Sequence, residues 1–228
     1  MPAGSPDVKA FGNGDLEITR YTEATFAPED KTLAEIRERS HAAGLPGIQV
    51  GALDGLHLEV LARAFAAKKT VEIGTLGGYS GVCLMRGMGP EGRLWTFEID
   101  PAHAKVARQS FANAGVAERV QVIEGAATER LPSIEQHGPF DLVFVDADKI
   151  SYPAYLAWAA EHLRVGGVVL GDNAFLFGEV VHDPATRGDE AERIRAMRAF
   201  HEQLVRGGRF RSTMLPTGEG LALGVKVR

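Results

Sequence analysis

The sequence predicts an α/β fold: a mostly parallel sheet of seven strands with helices on both faces, ending in an antiparallel hairpin. Three observations carry this. From residue 70 onward, short β-rich runs near 70–73, 93–98, 119–124, 140–145, 166–171, 209–215 and 221–227 alternate with helical patterns. That alternation builds parallel strands joined by helical crossovers. The last two runs are joined only by Pro216-Thr-Gly-Glu-Gly220, too short for a parallel crossover, so they pair antiparallel. The apolar runs Phe140–Val145 and Val168–Leu170 lead into Asp146-Ala-Asp148-Lys149 and Asp172-Asn173. If those strands are neighbours, both acidic groups meet at one edge of the sheet.

The elements follow in order. Residues 1–27 are polar and rich in glycine and proline, with scattered Phe11, Tyr21 and Phe26, and read as an N-terminal arm. Residues 28–228 read as one domain, a length that can bury a substantial core. Pro28-Glu-Asp30 opens a helix that carries Leu33 and Ile36 and ends near Gly44. After a connection at Gly47–Val50, a second helix places Leu53, Leu56, Leu61 and Phe65 at helical spacing. Further helical patterns lie near 79–88, 101–114, 152–163 and 190–206, with a weaker one near 126–136. The segment Glu192–Arg206 sets Ile194, Met197 and Leu204 on one side, as an amphipathic surface helix does.

Composition excludes several classes. The net charge of −5 and the dispersed basic residues give no nucleic-acid footprint. Hydrophobic residues make up 45%, as in soluble globular proteins. No apolar run approaches the length needed to span a membrane. The single cysteine, Cys83, permits no intrachain disulfide and fits a reducing cytoplasm. The opening Met1-Pro-Ala-Gly-Ser-Pro6 lacks a basic and an apolar region, so no signal peptide is expected.

Gly74-Thr-Leu-Gly77-Gly78 joins the first β-rich run to a helix. Glycines there let backbone approach a ligand closely and turn sharply. Thr75 and Leu76 separate the first two glycines, so the spacing departs from the dinucleotide G-x-G-x-x-G. An ordinary strand-to-helix turn fits equally well. Glu98 favours a ligand, because an acidic residue ending the second strand commonly accepts hydrogen bonds from ribose hydroxyls. Asp100 competes for that role, but Asp100-Pro101 reads as the cap of the next helix.

Asp146, Asp172 and Asn173 all offer oxygen, which suits Mg²⁺ or Ca²⁺ rather than zinc. Helix capping explains any one of them. It explains less well three on two strands that share an edge with a glycine loop. Lys149 can act as a base beside a cation, although its spacing fits a solvated helix-start lysine better. The seven histidines show no ligand spacing such as H-E-x-x-H. Cys83 reads as a packing residue.

Six segments occur in order over roughly residues 45–228: Val71-Glu-Ile-Gly-Thr-Leu-Gly-Gly-Tyr-Ser80, Phe97-Glu-Ile-Asp100, Glu124-Gly-Ala-Ala127, Phe144-Val-Asp-Ala-Asp-Lys149 with Tyr152 and Tyr155, Gly166-Gly-Val-Val-Leu-Gly-Asp-Asn173, and Leu215-Pro-Thr-Gly-Glu-Gly-Leu221. This set resembles the metal-dependent class I O-methyltransferases that use S-adenosylmethionine (SAM). The likeness is nearest to the caffeoyl-CoA O-methyltransferase group and more distant to catechol O-methyltransferase. The resemblance implies a Rossmann-like methyltransferase sheet and methyl transfer to a phenolic hydroxyl of a catechol-like small molecule. It implies that Val50, Glu72, Gly74 and Ser80 line the methionine part of SAM and that Glu98 holds the ribose. Gly125 to Ala127 would edge the adenine, with Asp148 and Tyr155 near the cofactor. Asp146, Asp172 and Asn173 would bind a divalent cation, Mg²⁺ first, with Ca²⁺ or Mn²⁺ as alternatives. Asp146 would also touch the cofactor, and Asp146 and Lys149 would be the catalytic residues, Lys149 as general base. Dimers are common in the family, so a homodimer is expected.

Two departures stand out. The plant enzymes follow the D-N pair with T-L-W-N, whereas here Ala174-Phe-Leu-Phe177 puts Phe177 where an asparagine touches the plant substrate. Val50-Gly-Ala-Leu-Asp54 also differs from the usual entry to its helix. Two other classes stay open: a nicotinamide-dependent dehydrogenase, disfavoured by the glycine spacing, and a non-catalytic SAM- or metal-binding protein.

Overall fold

Five parallel strands and a terminal hairpin form one sheet, ordered β3-β2-β1-β4-β5-β7-β6. The structure is a computed structural model that describes residues 16–26 and 28–228. In chain order the main elements are α1 (Leu16–Phe26), α2 (Lys31–Ala42), α3 (Ala52–Ala64), β1 (Lys69–Ile73), α4 (Tyr79–Gly87), β2 (Arg93–Glu98), α5 (Pro101–Asn113), β3 (Val120–Glu124), α6 (Ala127–Arg130), β4 (Phe140–Val145), α7 (Tyr152–His162), β5 (Leu163–Gly171), α8 (Ala191–Arg206), β6 (Phe210–Leu215) and β7 (Leu221–Lys226). Helix α1 falls within the expected arm and buries none of its residues. The rest of that arm, Phe11 included, lies outside the described residues. Among the described residues no helix is long and apolar enough to cross a membrane.

The strands bury both faces, so they read as nearly continuous apolar runs. Alternation still sorts their side chains. Val71, Ile73, Phe97, Val143 and Val145 pack with Tyr152, Leu156, Met197 and Phe200 from α7 and α8. Leu94, Leu142, Phe144 and Leu170 face the other way, toward Leu33, Leu58, Val82 and Phe111 from α2 to α5. On that second side β1 is polar: Thr70 and Glu72 are fully buried, and so is Thr96 beside them on β2.

Two features differ from expectation, each for a physical reason. In α3 the fully buried positions are Gly55, Leu58 and Ala62, not the expected Leu53, Leu56, Leu61 and Phe65, which are half-buried. Small residues let α3 lie close against α4: a Cβ on Gly55 would stand 2.9 Å from Cys83 Sγ. Cys83 itself is buried packing, as expected. Strand β5 begins at Leu163, directly after α7, rather than near residue 166. No loop is needed, because side chains satisfy the carbonyls left at that helix end. Arg209 Nη2 donates to Ala160 O at 2.8 Å and Lys226 Nζ to Leu163 O at 2.7 Å.

The parallel ladder runs one residue past the strands, along their carboxyl ends. Gly125 N donates to Glu98 O (2.9 Å), Gly74 N to Phe97 O (3.1 Å), Asp146 N to Ile73 O (2.8 Å) and Asp172 N to Val145 O (2.9 Å). Strand order reverses between β1 and β4, and ligands of open α/β sheets bind at such a switch point.

Candidate active site

A cavity of about 930 Å³ lies along this carboxyl edge. Val50, Gly74, Ser80, Glu98, Ala127, Asp146, Asp148, Lys149, Tyr155, Asp172 and Asn173 all line it. Glu72 does not. It lies one layer beneath with no exposed surface, its carboxylate accepting from Ser80 Oγ (2.7 Å) and Thr96 Oγ1 (2.6 Å). Burial pushes its carboxyl up to about 7; the hydroxyl donors pull it back, and the charges of Asp146 and Glu98 add to the rise. Glu72 therefore supports Ser80 and the glycine loop from below.

The glycine loop needs its glycines. Gly74 has φ +101°, and a Cβ there would collide with the Asp146 carbonyl oxygen. Gly78 sits at φ +88° as the N-cap of α4. Between them Leu76 also takes a left-handed conformation, φ 47°. That turn aims its N–H at Glu98 Oε2 (2.7 Å), while Asp100 N donates to Glu98 Oε1 (3.0 Å). Glu98 is 7% exposed and held by two backbone donors, yet each oxygen keeps acceptor capacity for a ligand hydroxyl. Asp100 caps α5 through Ala102 N, the role its sequence context suggests. His103 stands between the two acids, 3.7 Å from Glu98 and 3.8 Å from Asp100.

The acidic end is built from the strand ends of β4 and β5. Lys149 is 8% exposed, so the solvated-lysine alternative does not hold. Its Nζ donates to Asp146 Oδ1 (3.1 Å) and to the Tyr152 hydroxyl (2.7 Å). That hydroxyl lies 3.0 Å from the Val145 carbonyl and 2.8 Å from the Asp172 carbonyl. Tyr152 thus pins both strand ends and the lysine at one point. Asp148 accepts from Ser151 N and the Tyr155 hydroxyl, each at 2.9 Å, and so starts α7. Burial and Asp148 push the Tyr155 hydroxyl up to about 12.

Asp146, Asp172 and Asn173 fit a hard cation. Asp172 is 8% exposed, and burial, followed by the facing Asp146 charge, pushes its carboxyl up to about 7. Among the described residues no three His, Cys, Asp or Glu side chains converge as a metal group. The third oxygen donor is an amide, from Asn173, held left-handed at φ 51°.

The cavity also contains residues that the sequence did not single out. Arg37 from α2, Asp54 from α3 and His103 line it, given no role by motif or spacing, and so does Glu219, from the matched segment Leu215 to Leu221, to which the sequence assigned no role. Its lining carries seven carboxyl side chains, Asp54, Glu98, Asp100, Asp146, Asp148, Asp172 and Glu219, against the cations Arg37 and Lys149. Glu219 closes the rim: its carbonyl accepts from Phe175 N at 2.9 Å and its carboxylate from Phe177 N at 3.0 Å. Leu176 and Phe177 take φ of 51° and 54° there, a strain of about 1–3 kcal/mol each that those bonds hold.

Fold and cavity together define a Rossmann-like, SAM-dependent methyltransferase. The model of the O-methyltransferase family matches residues 23–227, and the chain belongs to that family. A catechol O-methyltransferase of Mycobacterium tuberculosis is 42% identical over 184 residues, covering 81% of each chain. One from Niastella koreensis is 37% identical, covering 79% of this chain and 83% of that protein. The crystal structure of a Bacillus cereus O-methyltransferase in complex with SAH matches with a TM-score of 0.85 at 36% identity, over 92% of this chain and 97% of that one. SAH is S-adenosylhomocysteine, what SAM becomes on losing its methyl group. The dehydrogenase alternative is thereby overturned.

Two outcomes follow from this geometry. Charge-assisted bonds contribute about 1.5–3 kcal/mol each, so Glu98→Ala should weaken SAM affinity roughly tenfold or more by calorimetry. Asp100→Ala should cost less; a larger loss there would transfer the ribose to Asp100. Glu72 gives a pH signature. Its folded-state carboxyl lies above the usual 4.5, at about 7, so its stabilisation is complete below the unfolded value and lost as pH rises through the folded one. Urea unfolding should show stability falling between about pH 5 and 8, by on the order of 3 kcal/mol for a fully buried group. Glu72→Gln should flatten that fall, and a flat wild-type profile would contradict the assignment.

Proposed function

We propose that this enzyme methylates a phenolic hydroxyl of a catechol-like acceptor, with a divalent cation held by Asp146, Asp172 and Asn173. The observation that supports the reading is the end of β4 and β5, where the buried Lys149 bonds Asp146, the Asp146 charge acts on Asp172, and Asn173 lines the same cavity. The names of the mycobacterial and Niastella relatives support the acceptor class. A cation held by these residues would supply Lewis acidity toward the phenol, lowering its pKa.

The chain's own residues do the rest. Glu98 and the glycine loop seat the donor so that its methyl faces the acidic end of the cavity. Lys149 Nζ serves as the general base for the phenol proton. That oxygen's electron pair forms the bond to the methyl carbon while the carbon–sulfur bond breaks. The broken bond's pair stays on sulfur and leaves SAH. Holding the two reactants in line supplies much of the acceleration.

The acceptor side is apolar and acidic. Ile48 and Phe177, 72% and 63% exposed, stand at the rim, and Phe177 offers no polar partner of the kind that enforces discrimination. The excess of carboxylates disfavours a polyanionic substituent such as coenzyme A.

Asp172→Ala should abolish the metal-dependent rate while SAM affinity, read by calorimetry, stays close to wild type. Undiminished activity of that variant in chelator-treated buffer would refute the cation site. Free catechols should be methylated at least as well as hydroxycinnamoyl thioesters, judged by kcat/KM. A preference for caffeoyl-CoA beyond about a hundredfold, roughly 2.7 kcal/mol, would count against this view of the acceptor pocket.

A further inference from the structure

Directly after Asp172 the chain curls back on itself. Asn173, Leu176, Phe177 and Gly178 are all left-handed, with φ of 51°, 51°, 54° and 84°. Bulky residues rarely adopt that conformation, and it persists only where the surroundings hold it. Main chain supplies most of the hold. Ala174 N donates to Gly220 O (2.9 Å), Phe175 N to Glu219 O (2.9 Å), Leu176 N to Asn173 O (2.8 Å) and Gly178 N to Phe175 O (3.0 Å). Of the five amides from Ala174 to Gly178, that of Phe177 alone goes to a side chain, Glu219 Oε2 at 3.0 Å.

We propose that Glu219 is a positioning residue for the acceptor: its carboxylate, bonded to Phe177 N, holds the Phe177 ring at the cavity mouth. The proposal rests on the acceptor reading given above and adds to it a residue from the β6–β7 turn. The turn closed by Leu176 N on Asn173 O brings Phe177 back toward Asn173, and Asn173, Phe177 and Glu219 all line the cavity. An aromatic side chain packs on the ring of a phenolic acceptor in offset or edge geometry, so its placement matters. Phe177 is 63% exposed, and core packing does not place it. Its neighbours are anchored independently. Ala174 and Leu176 are buried, and Arg198 donates to the Val180 carbonyl (2.9 Å) and the His182 carbonyl (2.7 Å). The segment is thus fixed on both sides of Phe177, and Glu219 governs the one residue between. The hold needs an acceptor oxygen and not a charge, so a carboxamide of the same length can supply it.

The test reads amide hydrogen exchange and catechol kinetics on the whole protein. In Glu219→Ala the Phe177 amide should exchange about tenfold faster or more, because a charge-assisted bond is lost. The same variant should raise KM for catechol roughly threefold to tenfold, an aromatic contact's worth. Its kcat and its SAH affinity should stay close to wild type, as when uniform binding is removed. Glu219→Gln should restore both the amide protection and KM. Adding Glu219→Ala to Phe177→Ala should raise KM no further, because Glu219 acts through Phe177. A Glu219→Gln variant that behaves like Glu219→Ala would assign the effect to charge and overturn the proposal. So would an unchanged Phe177 amide, an unchanged KM, a comparable loss of SAH affinity, or additive effects in the double variant. A wild type that methylates no catechol would refute the acceptor reading; the exchange data alone would then decide whether Glu219 holds Phe177.

Discussion

The row of backbone hydrogen bonds along the carboxyl ends of β3, β2, β1, β4 and β5 is the constraint on which the site depends. Each bond comes from the residue that follows the strand's edge: Gly125, Gly74, Asp146 and Asp172. These amides are tied to neighbouring carbonyls, so the residues cannot drift along the sheet. Gly74 is the close approach in this row, since any side chain there would strike the Asp146 carbonyl. The donor loop and the acidic end are thus set against each other by main chain. Side chains then refine the placement, Glu98 through two backbone donors and Lys149 through Tyr152.

Electrostatics follow from this alignment. Five strands that end together bring their acidic termini together, and the cavity collects far more carboxylates than cations. SAM suits such a cavity because its sulfonium is positive, and the charge disappears when the methyl leaves. Burial first, and neighbouring carboxylates second, raise the carboxyls of Glu72 and Asp172 to about 7.

Much of this was legible in the sequence because strand-end residues are local features. Asp146, Asp172, Asn173 and Glu98 each follow or close an apolar run, and the short Pro216–Gly220 connection forces the reversed hairpin. What could not be read are contributions from surfaces that meet only in space. Arg37 and Asp54 come from helices α2 and α3, whose charged residues have no distinctive spacing. The buried face of α3 was misplaced because glycine and alanine, not the larger leucines, set the closest approach to α4. Glu72 sits on the strand pattern where a ligand contact was expected. It is its hydrogen bonds to Ser80 and Thr96, a non-local arrangement, that put it beneath the cavity.

The most direct measurement is a crystal structure of the protein with SAH, Mg²⁺ and a catechol bound together. The account predicts the ribose on Glu98, the cation on Asp146, Asp172 and Asn173, and one catechol oxygen in line with the sulfur and within reach of Lys149. A nucleoside seated away from the β1 and β4 ends, or a catechol bound with no cation on those three residues, would contradict it.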